Sequence, residues 1–125
     1  MPRINLTNYV IWLPLIIFLV LVDQLIKAWV VSQLSPNASI NLVPGIYIVM
    51  TYNSGVAFSL LANMGQNVVK SITLLAACIN MALVYALGTN QQVYKNTTQQ
   101  LSTALLISGG GSNLIDRLYY SAVID

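Results

Sequence analysis

The acidic residues of this 125-residue chain are Asp23, Asp116 and Asp125, three in all. So few carboxylates in so apolar a chain do not serve solubility. Two of them fall in the C-terminal stretch that runs from Gly109-Gly110-Gly111-Ser112-Asn113 through Asp116-Arg117 to Asp125. On a helix, Gly109, Asn113, Asp116 and Tyr120 recur at a three-to-four spacing and share one face, and Asn113 and Arg117 are one turn apart. Asp23 stands four residues before Lys27, the favourable order for a helical ion pair. Ionisable groups inside or beside a membrane are costly to place and mark functional sites by default. The structural alternative is that such charges only fix helix ends, Asp116 with Arg117 or Asp23 with Lys27. The chain has no His, and its one cysteine, Cys78, has no partner. Disulfides, Cys-based metal sites, most zinc chemistry and Ser–His or Cys–His nucleophiles are excluded. Hydrolytic chemistry must then rest on Asp, Ser, Lys or Tyr.

The elements that hold these residues read as membrane helices. Hydrophobic residues make up 57% of the chain and charged residues 6%, with a mean hydropathy of +0.73. A soluble domain carries about 25% charged residues, so residues 1–125 are expected to form one polytopic membrane domain. A net charge of +2 without a basic cluster gives no indication of nucleic-acid binding. Residues 9–31 make the first span, since about 20 apolar residues cross a bilayer. The run is too long for a signal-peptide core and is read as a retained anchor, with Pro14 tolerable near its start. Residues 68–87 and 101–120 are the second and third spans, and the glycines of the third allow close helix packing. Residues 32–66 are different. Turn signals at Pro36-Asn37 and Pro44-Gly45 separate β-prone runs, which predicts a small hairpin-like sheet at the membrane surface. Residues 88–100 read as a polar loop. Arg3 and Lys95 place the N-terminus and that loop in the cytoplasm. Asp23, the sheet and both C-terminal aspartates then gather at the opposite face.

Four blocks occur in order over nearly the whole chain: Asp23-Gln24-x-x-Lys27, Asn53-x-Gly55-x-Ala57-Phe58, Asn113-x-x-Asp116-Arg117 and Val123-x-Asp125. Together they resemble lipoprotein signal peptidase, the signal peptidase II family of bacterial membrane aspartic proteases. The resemblance implies a membrane α-helical fold of four helices, three of them in this chain, with the β-rich segment on the periplasmic face. It implies an endopeptidase that cuts prolipoproteins before their diacylglyceryl-modified cysteine, at the outer face of the inner membrane, without metal or cofactor. Its partners would be lipidated prolipoproteins and membrane lipids. Asp125 matches one member of the catalytic dyad. Asn53, Asn113, Asp116 and Arg117 match residues that bind or brace substrate, and Asp23 matches a supporting polar contact. Lys27, Gly55 and Gly109 are read as structural. Ser112 stands where the family usually has a small residue, often Gly. The family's second catalytic Asp lies on a fourth helix, so these 125 residues are expected to be an incomplete copy that does not cleave on its own. Two alternatives are a non-catalytic protein that binds lipidated precursors and a small proton-coupled transporter subunit whose flux depends on Asp116.

Overall fold

A computed structural model describes residues 3–56, 60–89 and 96–125. It contains three long helices, α1 (Leu6–Gln33), α2 (Gln66–Gly88) and α3 (Thr97–Tyr120), and four short strands, β1 (Ser39–Val43), β2 (Ile46–Val49), β3 (Tyr52–Asn53) and β4 (Val123–Ile124). Helix α1 begins before the apolar run does, because the Asn5 side chain accepts from the Thr7 N–H at 3.0 Å and caps it. Pro14 therefore lies more than two turns inside the helix rather than near its start. Helix α3 begins four residues earlier than its apolar pattern suggests. Asn96 accepts from the Thr98 N–H at 3.0 Å, so the polar run Thr97–Gln100 is helix rather than loop. Lys95 lies outside the described residues.

Helix α3 is the central element and packs against both α1 and α2. Trp12, Ile16, Leu87, Ala104 and Ile107 form the core at one end of the bundle. Polar groups there are matched across helices. The Asn8 amide donates to the Leu87 carbonyl at 2.9 Å, the Tyr9 hydroxyl to the Val84 carbonyl at 3.0 Å, and Trp12 Nε1 to Gln100 Oε1 at 2.9 Å. Lipid could satisfy none of these groups. Among the described residues, α1 and α2 are long and apolar enough to cross a membrane, and their outer faces expose Val10, Phe18, Leu25, Leu74 and Met81. Helix α3 has the length at 24 residues but is more polar, and it turns Thr103, Ser108, Ser112 and Asp116 inward. The Thr103 and Ser108 hydroxyls donate to carbonyls of their own helix, and Ser112 and Asp116 bond to α1. The close helix approach falls at Gly110, not at Gly109. A Cβ on Gly109 would meet nothing within 4 Å, whereas one on Gly110 would strike the Asn80 amide, which donates to the Ile107 carbonyl at 3.2 Å.

The expected hairpin is present. Strands β1 and β2 pair antiparallel about Pro44-Gly45, with Gly45 at φ +91°, a conformation that Gly adopts without steric cost. Ile40 and Ile48 pack the hairpin on Leu34, Met50 and Ile124 at the end of α1. A second, shorter sheet has no counterpart in the sequence pattern. Ser121 closes α3 in the left-handed region (φ 58°, ψ 17°), with its N–H bonded to the Arg117 carbonyl at 3.0 Å. The chain then reverses and lays β4 antiparallel to β3, Tyr52 opposite Ile124 and Asn53 opposite Val123. Backbone bonds of 2.9 Å in both directions between Thr51 and Asp125 extend the pairing. This small sheet positions the site.

Candidate active site

Asp116 lies on the side of α3 that faces α1, and its side chain is fully buried. Its Oδ2 accepts from Lys27 Nζ at 2.6 Å and from the Ile124 N–H at 3.3 Å, while Oδ1 accepts from Gln24 Nε2 at 2.9 Å. Lys27 Nζ also reaches Asp23 Oδ2 at 2.8 Å and Asn113 Oδ1 at 3.1 Å. An ammonium has three donors, and each of these has an acceptor. The Ser112 hydroxyl donates to Asp23 and accepts from Gln24 at 2.8 Å. The Asp23–Lys27 pair read from the sequence is thus one edge of a larger network.

Asp116 and Arg117 do not pair. Consecutive helical residues leave the axis about 100° apart, so the two side chains serve different surfaces. Arg117 Nη2 donates to the Gly55 carbonyl at 2.5 Å and Nη1 to the Ser54 carbonyl at 3.4 Å. Gly109, Asn113, Asp116 and Tyr120 share a helical face as expected, but they do not all meet the same partner: Asn113 and Asp116 both accept from Lys27. Asp116 turns to α1, and Asn113 sits at the seam. Tyr120 leaves the charges altogether, with its ring centroid 5.9 Å from that of Tyr52.

On the far side of this network is a groove of about 430 Å³ whose walls include Asn53, Val56, Ile79, Asn113, Arg117 and Asp125. Asp125 is exposed to it. Asn53 is buried, and its Nδ2 donates to Asp125 Oδ2 at 3.1 Å and to the Val56 carbonyl at 2.8 Å. Its Oδ1 accepts from the Gly55 N–H at 2.9 Å, the local turn that Asn side chains favour. Among the described residues no donor reaches Asp125 Oδ1. Gly55 is needed because a Cβ there would strike the Leu60 carbonyl, which is backbone and cannot swing aside. Ala57 and Phe58 of the second sequence block lie outside the described residues.

Four of the residues singled out in the sequence, Asn53, Asn113, Arg117 and Asp125, therefore line one groove. Asp116, Asp23 and Lys27 stand behind it, and Asp116 touches β4 through Ile124. Two contributors had not been assigned a role. Gln24 lies three residues before Lys27 and Ser112 four before Asp116, so helical spacing alone would have placed each beside its charge. No sequence signal points to Thr51, whose contribution is purely backbone. A larger groove of about 550 Å³ on α1 is walled by residues such as Val10, Ile17 and Phe18 and holds no carboxylate; its one titratable wall residue, Tyr9, donates its hydroxyl to the Val84 carbonyl.

The chain as a whole is similar to known proteins. The lipoprotein signal peptidase of Streptococcus pyogenes serotype M6 is 41% identical over 112 residues, which are 88% of this chain and 69% of that protein. That of Streptococcus thermophilus is 38% identical over 112 residues, with the same coverage of each chain. That of Pasteurella multocida is 36% identical over 115 residues, 92% of this chain and 67% of that protein. The chain thus spans about two thirds of the length of these relatives. A solved structure described as a bacterial membrane enzyme superposes with a TM-score of 0.77 over all of this chain and 72% of its own, at 24% identity, and so has the same fold. The sequence profile of Signal peptidase (SPase) II matches residues 15–125, which include the charge network and the groove, and the chain belongs to that family.

Proposed function

We propose that this membrane protein is an aspartic endopeptidase that removes signal peptides from prolipoproteins, cutting before the diacylglyceryl-modified cysteine. Asp125 carries this reading. It is an exposed carboxylate on a groove in an apolar helical body, held through one oxygen by a buried amide and with no donor on the other among the described residues. Aspartic proteases use two carboxylates that share a proton. One takes a proton from water while the other donates to the scissile carbonyl. Asp125 is one of the two. Asp23 and Asp116 both pair with Lys27, and neither is the second. Asn113 commits its oxygen to Lys27, so its Nδ2 serves as a donor to a substrate carbonyl. Arg117 shapes the wall by holding Ser54 and Gly55. Asp116 is a bracing charge, and full burial with both oxygens bonded argues against the exchangeable carboxylate that a transporter would need.

The basic residues Arg3 and Lys95 support an N-terminus in the cytoplasm, with the groove at the outer face of the inner membrane. The test is cleavage of a lipidated prolipoprotein by membranes carrying the protein, expressed from its own gene in cells without another signal peptidase of this type. Release of the signal peptide is expected, and Asp125→Asn should abolish it while unfolding in detergent is little changed. Absence of cleavage by the wild type, or undiminished cleavage by Asp125→Asn, overturns the assignment.

A further inference from the structure

Arg117 walls two grooves, and only one of them contains Asp125. The other, of about 450 Å³, runs between α2 and α3 along Val69, Leu74, Ala77, Leu114 and Leu118, with Lys70 and Arg117 also in its walls. A smaller opening of about 330 Å³ adjoins it at the start of α2. It shares Val69, Lys70 and Ser121 with the groove and adds the polar residues Ser54 and Gln66. A polar chamber with a cation thus continues into an apolar channel.

The charge of this chamber is not offset from within. All three carboxylates of the chain are engaged elsewhere, Asp23 and Asp116 by Lys27 and Asp125 by Asn53. Lys70 is exposed and makes no ion pair among the described residues. It sits near the start of α2, whose first turn has no acidic residue and no side-chain cap, so the positive end of the helix dipole adds to the lysine charge. An anion beside Lys70 relieves both, and basic pockets between membrane helices hold acidic lipid head groups for this reason.

We propose that these joined openings bind an anionic glycerophospholipid of the surrounding bilayer, its phosphate beside Lys70 and an acyl chain along the α2–α3 groove. The lipid is distinct from that of the substrate, because the diacylglyceryl thioether on a prolipoprotein cysteine carries no charge for Lys70 to recognise. Arg117 links the two sites. The side chain that walls the lipid groove also holds the Ser54 and Gly55 carbonyls, next to the Asn53 that fixes Asp125.

The test counts bound lipid by native mass spectrometry on the whole protein in neutral detergent, titrated with phosphatidylglycerol or phosphatidylcholine. Phosphatidylglycerol should be retained roughly five- to tenfold more tightly. Lys70→Gln should remove that preference and Lys70→Arg should keep it. Leu118→Trp, which fills the apolar groove, should weaken retention of both lipids. Glycerol phosphate, which has the head group without tails, should not compete. Equal retention of the two lipids, or an undiminished preference in Lys70→Gln with helical circular dichroism intact, overturns the proposal. Competition by glycerol phosphate would make this a free-anion site and also overturn it. The measurement uses no substrate, so its failure leaves the cleavage assignment standing, and Asp125→Asn should bind the lipid as the wild type does.

Discussion

Lys27 is the residue on which the buried charge balances. Its side chain is 13% exposed, that of Asp116 is fully buried, and that of Asp23 is 46% exposed. Burying an ion pair brings little net stability, but removing one partner strands the other and costs about 3–5 kcal/mol. Lys27→Met and Asp116→Asn should each lower thermal stability by that order. The double variant Lys27→Met/Asp116→Leu should recover most of the loss, since the remaining carboxylate, Asp23, has access to water. Its activity should stay low. Asp116 accepts from the Ile124 N–H, one residue before Asp125, and a leucine cannot hold that strand. Unfolding temperature and cleavage rate measured on all three variants test the argument. Activity restored together with stability in the double variant would remove Asp116 as a positioning residue.

At the scale of elements, the site depends on a loop and two strands of two residues each. Gly55 has its carbonyl on Arg117 and its N–H on Asn53, and backbone blocks any side chain. Gly55→Ala should therefore displace residues 54–56 and release Asn53 from Asp125. Cleavage should fall at least tenfold, a change of about 1.4 kcal/mol, while the distant core around Trp12 and Ile107 keeps the helices folded. Rate assays with circular dichroism check this, and wild-type turnover in Gly55→Ala would show that the loop does not set the site. The same elements mark where the sequence was legible. The helices were, because long apolar runs leave few other structures open to them, and so was the hairpin, because Pro44-Gly45 punctuates two β-prone runs. The starts of α1 and α3 were misplaced because capping by Asn5 and Asn96 extends helix into polar residues. Strands of two residues carry no periodicity, so the β3–β4 pairing was invisible. The contact between Asn53 and Asp125 spans 72 positions. Only the order of the four blocks pointed to it, through resemblance rather than local physics.

At the scale of the whole molecule, polar residues are sorted to the ends and the inner seams, while α1 and α2 present large apolar side chains outward. Exposed surface of that kind marks contact with lipid or with further protein, and on helices long enough to cross a bilayer lipid is the expected neighbour. Cys78 reports on it directly. It is exposed, and at 1.5 Å per residue it lies about 15 Å or more from either end of α2, well inside a hydrocarbon core of about 30 Å. A membrane-impermeant maleimide should leave Cys78 unlabelled in intact cells and in lysed membranes, and should label it once detergent strips the lipid. In a Cys78→Ser background, Asn41→Cys on the exposed hairpin should label in intact cells, and Thr97→Cys at the start of α3 only after lysis. Hairpin and α3 start lie at opposite ends of the bundle, so the two sites must give opposite results in either orientation. The reverse pattern would put the groove in the cytoplasm, on the side where prolipoprotein lipoboxes are not processed in the proposed scheme. Labelling of Cys78 from water without detergent would remove α2 from the membrane and with it the lipid-facing reading of the bundle.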